Sequence, residues 1–403
     1  MGKAWIVAAC CAATWWCPAR ASAQALTLAD VVSRAREQAP RVASARLAIE
    51  EARARLIGAN ARTSNPDIEG AIGNRRASGG ATLDLDVGIS QRFEPSGRRA
   101  ARIAGAEASI AQAEADLDQA RRGVTLDAVA AYLRGIGASE RDRLLAAAET
   151  LAGALHDTAD RRFRAGDIAV LEVNVTRAGL ARVRADREAT RAAGAAALGD
   201  LRLLLGLAGD VQIAGRVPDS TPADTSALLQ SALGRPDIRA LEAAAREADA
   251  GVRLGRTFAK PEVGAGARYA RNEGNNIVSG LFTVTLPVFA RGQELVAAGS
   301  ARALRLRAEL DALRQRVQIE VRRAAETLDR RREAVRILER DALPAVDDNE
   351  SLVARSYEAG QIGLTELLLI RREILETRFQ HLEAQLEAAL ARIELDAAAG
   401  VLR

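Results

Sequence analysis

The chain has 403 residues, and its composition excludes several classes of protein. It is rich in Ala, Leu and Arg with only 3% aromatic residues, which is typical of long coiled-coil helices rather than a globular core. The formal net charge is +4, and interspersed charges of both signs argue against a nucleic-acid surface. We find no combination of acid, base and nucleophile, so we expect neither an enzyme nor a cofactor. The two histidines, His156 and His381, form no metal-ligand motif.

The first 23 residues have the order of a secretory signal peptide. Lys3 precedes a mostly apolar stretch, and small residues at Ala21–Ala23 suit cleavage before Gln24. Removing Lys3 and Arg20 with this leader leaves 55 of the 57 basic residues against 53 acidic ones. An alternative interpretation takes Cys10 as the lipidated cysteine of a lipoprotein. All three cysteines lie in the leader, so the mature chain contains no disulfide.

The two halves of the mature chain repeat each other. Residues 162–207 match residues 356–401 at a constant offset of 194. We therefore expect a first structural repeat over residues 24–207, a linker over 208–225 and a second repeat over 226–403. Such a duplication predicts two equivalent units that suit a ring or a tube. The matched pairs are Phe163 and Tyr357, Ala165 and Ala359, Gly166 and Gly360, Ile168 and Ile362, Glu172 and Glu366, Arg177 and Arg371, Arg184 and Arg378, Leu201 and Leu395, and Gly206 and Gly400.

Each repeat contains one predicted β-hairpin. Alternating apolar and polar residues around a Gly-rich turn predict strands at about 66–76 and 81–93, and again at about 261–271 and 276–289. The apolar alternation consists of Leu83, Leu85, Val87 and Ile89 in the first repeat and of Val278, Phe282, Val284 and Leu286 in the second. No apolar stretch after the leader approaches the ~18 to 20 residues of a membrane-spanning helix, whereas strands of about ten residues suffice for a tilted membrane strand. Four strands cannot close a barrel, so several copies would have to contribute.

Each repeat then continues into a predicted long helical hairpin. The absence of proline between Ser96 and Val217 predicts a hairpin at about 97–207, and the second repeat predicts one at about 292–400. Each hairpin reverses at a glycine, Gly166 or Gly360. The predicted seam residues are Ile103, Ile110, Leu117 and Val124 with Ala106, Ala113 and Ala120 between them, and Leu306, Leu310, Leu313, Val317, Val321, Ala324 and Leu328.

This organisation resembles the TolC-like outer membrane efflux proteins. The motifs that carry the resemblance are Phe163–Ile168 with Leu171-Glu172, Tyr357–Ile362 with Glu366-Leu367, and the helix end Leu203–Leu207. The segment Ser90–Arg102 is similar to the strand-to-helix joint of the CzcC-type cation-efflux branch, although Ser96 stands where that branch usually has glycine.

The resemblance implies a mainly α fold with a small β part, built from a duplicated unit of helix, β-hairpin and long helical hairpin. It implies a homotrimer with four strands per protomer in a twelve-stranded outer-membrane β-barrel, continued by an α-helical barrel in the periplasm. The implied function is the exit duct of a tripartite RND-type efflux system for heavy-metal cations. Its implied partners are a periplasmic membrane fusion (adaptor) protein, an inner-membrane RND pump and outer membrane lipid. Drug or organic solute efflux, type I secretion, and a periplasmic coiled-coil scaffold or adaptor remain as alternatives.

The resemblance also places the narrow periplasmic end of the tunnel at the hairpin tips. The predicted aperture and adaptor-docking residues are Gly166, Asp167, Glu172, Gly360, Gln361 and Glu366. Rings of acidic residues from three protomers favour cations in a constriction. Glu366 carries more weight than Glu172, because the second-repeat position faces the pore in the family. The alternative is that both are ordinary helix-start acids, stabilised by the helix dipole.

Overall fold

The computed structural model describes residues 25–77, 80–272 and 275–402. The predicted signal peptide, the alternative lipidation site Cys10 and the central residues of the two strand turns lie outside the described residues. In chain order the elements are α1 (Leu28–Glu37), α2 (Pro40–Asn60), β1 (Asp67–Ala77), β2 (Gly80–Phe93), α3 (Arg98–Arg164), α4 (Val170–Leu205), α5 (Thr225–Ala232), α6 (Pro236–Thr257), β3 (Glu262–Asn272), β4 (Asn275–Thr285), α7 (Gln293–Ile337), a π-helical turn (Leu338–Ala342), α8 (Leu343–Glu358) and α9 (Leu364–Ala398). The order of helices, strand pair and helical hairpin occurs twice, which confirms the predicted fold class.

The two β-hairpins join into one antiparallel sheet in the order β1-β2-β3-β4. The junction is the pairing of β2 with β3, where Val87 lies opposite Tyr269 and Ile89 opposite Ala267. Directly paired residues share a face of the sheet. One face is therefore apolar over the middle of the strands, with Ile68, Ile72, Leu83, Leu85, Val87, Ile89, Phe93, Val263, Tyr269, Val278, Phe282 and Val284. The polar residues of this face lie toward the ends of the strands: Asn74, Arg76, Arg271 and Asn276 near the turns, and Gln91 near the opposite end. The opposite face holds Asp67, Glu69, Arg75, Asp84, Asp86, Arg92 and Arg268, with Ile277 and Leu281 on its edge strand.

The last strand is shorter than its sequence pattern predicts. We expected it to reach residue 289, but β4 ends at Thr285. Pro287 follows two residues later and has no N–H to donate to a strand ladder. Leu286 therefore lies beyond the strand, whereas Val278, Phe282 and Val284 share the apolar face as expected.

The two helical hairpins differ in their first helices. In the first repeat α3 runs without interruption for 67 residues, a length of about 100 Å at 1.5 Å per residue. In the second repeat the first helix of the hairpin predicted at about 292–400, which we expected to run unbroken from about Gly292 to Tyr357, is interrupted. There α7 ends at Ile337, a π-helical turn follows, and α8 begins at Leu343. Pro344 explains the break, because it cannot donate to the carbonyl one turn earlier and the helix widens to accommodate it.

The predicted seam of α3 is only partly buried. Leu117 and Val124 are buried, but Ile103 and Ile110 are half-buried. A second series at the same seven-residue spacing, Ala101, Ala108 and Ala115, is buried instead. These small residues let α3 pack closely along α6. The seam of α7 is as predicted, with Leu306, Leu310, Val317, Val321 and Leu328 buried and Leu313 and Ala324 partly buried.

Two apolar cores form where the hairpins meet the shorter helices, and α9 of the second repeat also contributes Ala389 to the first core. The first core joins α1, α2, α3 and α4 through Val31, Val42, Leu133 and Leu201. The second joins α6, α7 and α9 through Ile238, Val317, Val321, Leu328 and Leu395. The linker is fixed to the first core, because the Tyr132 hydroxyl donates to the Ala214 carbonyl at 2.6 Å. Within the described ranges, none of the helices combines the length and hydropathy required to span a membrane.

Candidate functional site at the hairpin tips

Both helical hairpins reverse through the same type of glycine turn. α3 ends at Arg164 and α8 at Glu358, and two residues later each chain adopts left-handed backbone, with φ +85° at Gly166 and +73° at Gly360. Glycine is suited to this position because it has no Cβ to clash with its own carbonyl. The hydrogen bonds that close the turns run from Asp167 N–H to Arg162 O (2.9 Å) and from Gln361 N–H to Ser356 O (2.8 Å).

The two tips lie side by side at one end of the protomer. The Arg162 guanidinium lies 3.5 Å from the Tyr357 hydroxyl, a contact between the two repeats. Beneath it, Leu155 of the first hairpin packs against a buried cluster of the second hairpin. That cluster consists of Val353, Leu364 and Leu367. The six residues predicted for the aperture therefore share one end of the molecule.

The predicted acidic residues occupy equivalent positions at this end. Glu172 lies in the first turn of α4 and Glu366 in the first turn of α9. Glu366 is exposed, as are Asp167 and Gln361, whereas Glu172 is half-buried. Within the described part of the chain, the side chains of Glu172, Glu366 and Asp167 have no hydrogen-bond or ion-pair partner. Their charges therefore remain uncompensated in the isolated protomer.

Sequence reasoning missed the basic residues of the same region. The last turn of α3 carries Arg161, Arg162 and Arg164, of which Arg164 pairs with Asp160 at 2.5 Å. These cations are favoured near a helix C-terminus. On α9, burial lowers the pKa of Arg371, although Glu350 opposes the shift, and its Nε has no hydrogen-bond partner. The sequence did contain an indication of these basic residues, namely the three arginines shortly before Gly166. The hairpin tips therefore carry both positive and negative charges.

The sheet at the other end of the protomer is strongly amphipathic. On its polar face Arg268 Nε donates to both carboxylate oxygens of Asp86, at 2.6 and 2.8 Å. Arg75 pairs with Asp84 at 3.0 Å, so acids and bases alternate between neighbouring strands. One face thus suits water and the opposite face suits hydrocarbon. In the described ranges, no group of three or more His, Cys, Asp or Glu side chains is arranged to hold a metal ion.

Comparison with known proteins identifies the family of the chain. The family model for outer membrane efflux proteins matches residues 31–207 and 228–401. The cobalt-zinc-cadmium resistance protein CzcC of Cupriavidus metallidurans is 24% identical over 326 residues, which cover 79% of this chain and 77% of that protein.

Solved structures show the same fold. The CmeC outer membrane channel of Campylobacter jejuni has a TM-score of 0.78 at 17% identity, covering 93% of this chain and 85% of that one. A membrane protein from Pseudomonas aeruginosa has a TM-score of 0.77 at 22% identity, covering 92% and 90%. These proteins are named as a resistance protein, an outer membrane channel and a membrane protein, and none is named as an enzyme. Because the family model spans most of both repeats, the chain belongs to the outer membrane efflux protein family.

Proposed function

We propose that this protein is the outer membrane exit duct of a tripartite RND-type efflux system and that it exports heavy-metal cations. The observation that carries the proposal is the four-stranded amphipathic sheet. Its edge strands β1 and β4 pair with no further strand in the described ranges. Hydrocarbon does not tolerate such unpaired edges. Three copies, joined edge to edge, would close a barrel of twelve strands with the apolar face toward lipid.

The strand length supports a membrane location for the sheet. β1, β3 and β4 each have 11 residues, which extend about 36 Å at the usual rise. Tilted by about 45°, such strands cover about 25 Å, the height of the apolar band of an outer-membrane barrel. The polar face of the sheet, with Asp86 and Arg268, would line the water-filled interior.

The helical hairpins support a passage through the periplasm. α3 follows β2 after a short joint at Gly97, so the hairpins leave the sheet at the end opposite its turns. Their tips then lie about 100 Å away. There the exposed turn residues Gly166, Asp167, Gly360 and Gln361 would contact a periplasmic adaptor protein, which in turn couples the duct to an inner-membrane pump.

A cation substrate is supported by two observations. The relative CzcC bears the name of a cobalt-zinc-cadmium resistance protein. The tips also carry carboxylates without a described partner, Glu172 and Glu366, which in a trimer would form two rings of three. A ring of acids concentrates cations in a constriction without the fixed ligand set that would trap them.

The proposal is tested in cells that lack the chromosomal gene. Expression of the chain should raise tolerance of Co²⁺, Zn²⁺ or Cd²⁺ and lower accumulation of that metal, and the chain should be recovered as a trimer from the outer membrane fraction. A soluble monomer released by osmotic shock would instead support a periplasmic scaffold. Unchanged metal tolerance together with increased tolerance of organic toxicants would contradict the metal specificity alone.

A further inference from the structure

A histidine and a carboxylate meet where the second hairpin is irregular. His381 on α9 faces Glu339, which lies in the π-helical turn between α7 and α8. The distance from His381 Nε2 to Glu339 Oε1 is 3.3 Å. The side chains are 18% and 48% exposed, respectively, so an ion in solution can reach the pair. π-helical turns occur frequently at functional sites, because they present side chains that a regular helix would turn away.

The first repeat has a different residue at the same position. The counterpart of His381 at the offset of 194 is Arg187. Arg187 donates from Nε to Asp142 at 3.0 Å and from Nη1 to Glu149 at 2.9 Å. A guanidinium is always protonated and has no lone pair for a metal ion. The first repeat therefore has a purely structural ion pair where the second repeat has a potential metal ligand.

The distance in the second repeat suits coordination of one ion by both groups. Zinc binds imidazole nitrogen at about 2.0 to 2.1 Å and carboxylate oxygen at about 2.0 to 2.2 Å. Two such ligand atoms separated by 3.3 Å subtend an angle of roughly 105° at the metal, close to that of a tetrahedral site. The pair could therefore accept an ion with little movement of the helices.

The surrounding charges leave Glu339 available to a cation. Arg378 lies one turn before His381 and is engaged by Asp347 at 3.1 Å and by Glu350 at 2.5 Å. Arg340, the neighbour of Glu339, is held by Asp341 in two hydrogen bonds of 2.8 Å. Each of these neighbouring arginines is thus paired with other carboxylates, and the carboxylate of Glu339 contacts His381.

We propose that His381 and Glu339 form a two-ligand site for a divalent transition-metal ion such as Zn²⁺ or Co²⁺. Water completes the coordination, and a site with only two protein ligands releases its ion readily. Its role as a station for a transported metal rests on the proposed function, but the binding itself does not. Imidazole selects transition metals over Mg²⁺, so this site would distinguish metal ions in a way that an acidic ring cannot.

The site is tested by titrating Co²⁺ into the purified full-length trimer and following its visible absorption and the heat of binding. His381→Arg installs the residue of the first repeat, which keeps a cation beside Glu339 but cannot bind metal. It should lower the Co²⁺ affinity at least about 10-fold and leave thermal unfolding within a few degrees of the parent. His156→Gln is the matched control and should bind Co²⁺ as the parent does, because His156 faces the Thr176 hydroxyl at 3.2 Å rather than a carboxylate.

A second variant separates ligation from folding. Glu339→Gln retains an acceptor for the imidazole but removes the charged ligand, and it should also weaken Co²⁺ binding. Parent-like Co²⁺ affinity in both His381→Arg and Glu339→Gln would overturn the proposal, as would loss of the affinity in His156→Gln alone. Co²⁺ binding that depends on His381, in a chain without effect on metal tolerance in cells, would uphold the site and reject the proposed export of metal cations.

Discussion

The two repeats share their backbone turns but differ in the side chains packed against them. Three pairs of glycines at equivalent positions all have positive φ between 67° and 89°: Gly97 and Gly292, Gly166 and Gly360, and Gly206 and Gly400. At the end of α4, a Cβ on Gly206 would lie 3.0 Å from Pro40, and at the end of α9 a Cβ on Gly400 would lie 3.0 Å from Arg235. The left-handed turns restrict the residue type, whereas the neighbouring side chains have been free to diverge.

One such divergence is between Ala39 and Arg235, the residues that precede α2 and α6. Ala39 is fully buried in the apolar core of the first repeat. The Arg235 side chain is only 7% exposed; it donates to Asp237 at 3.0 and 2.6 Å, to Glu320 at 2.9 Å and to the Ala398 carbonyl at 3.0 Å. In the second repeat a charged side chain thus donates to a backbone carbonyl at the C-terminal end of α9. In the first repeat the equivalent position is filled by apolar packing.

Removal of this charge should produce the largest loss of stability. Arg235→Ala leaves Glu320, whose side chain is 35% exposed, without this guanidinium, and leaves Asp237 with only the more distant Arg122 at 3.8 Å. We expect a loss of about 2 to 3 kcal/mol, below that of a fully buried pair. The control is Arg239→Ala on the same helix, which breaks a pair with Asp118 that is half-exposed and contributes less than about 1 kcal/mol. Denaturant unfolding of both variants provides the measurement. Equal losses would show that the buried network is no more important than a surface ion pair.

In the sheet, arginine substitutions in the two repeats should impair membrane insertion to a similar extent. Val87 and Phe282 lie near the middle of β2 and β4 on the apolar face, so arginine at either position should impair membrane insertion by about 2 to 4 kcal/mol. Thr283 lies on the opposite face, and arginine there should insert normally and alter conductance. Val284 is next to the end of β4, where the penalty falls below about 1 kcal/mol. Equal insertion of the Phe282 and Thr283 variants would contradict the assignment of faces.

Substitution of the glycines at the two strand-to-helix joints, Gly97 and Gly292, should destabilise the two repeats to different extents. A Cβ on Gly292 would overlap the carbonyl oxygen of Gly255, whereas a Cβ on Gly97 would have no atom nearer than 3.9 Å. Gly97→Ala should therefore lose only the left-handed strain of about 1 kcal/mol. Gly292→Ala should lose about 2 kcal/mol or more, because the backbone must also move. Thermal unfolding of the two variants measures the difference, and a larger effect at Gly97 would reject this packing.

The smallest expected effect is the pH dependence of the Arg235 network in the second repeat. Burial opposes ionisation of Asp237, but the hydrogen bonds and charge of Arg235 lower its pKa below the ordinary value of 3.8. A lowered pKa stabilises the fold above that value and loses its contribution as the pH falls through the folded-state pKa. The stability difference between the parent and Arg235→Ala should therefore be constant near neutral pH and shrink below about pH 4. If the stability difference between the parent and Arg235→Ala instead increased at acidic pH, the pKa of Asp237 would not be lowered by Arg235.

Much of the architecture was predictable because its signals are local. The alternation in β2 and the glycines at positions 166 and 360 required only neighbouring residues, and the duplication confirmed each element by its counterpart. The Arg235 network was not predictable, because Asp237, Glu320 and Ala398 meet only after three helices pack. The pairing of β2 with β3 was likewise invisible, since it joins segments about 180 residues apart. The break at Pro344 was not predicted, because the π-helical geometry that presents Glu339 depends on tertiary packing.

The candidate aperture was placed by the family resemblance, and its acidic residues remain a proposal. The sequence placed Glu172 and Glu366 at matching positions, and the structure adds that their carboxylates have no partner in the described chain. It also adds the arginines of the first tip, which reduce the net charge of a ring built from Glu172. This contrast favours Glu366 as the stronger determinant of ion selection.

The central claim is that three copies form a cation-selective duct whose narrow end carries Glu172 and Glu366. The most direct test is the reversal potential of the purified trimer in planar bilayers under a KCl gradient. We expect the parent to prefer K⁺, and the Glu172→Gln, Glu366→Gln double variant to shift the reversal potential toward zero with unchanged trimer stability. An identical reversal potential in the parent and the double variant would show that these are helix-start acids, and a preference of the parent for Cl⁻ would contradict the cation duct itself.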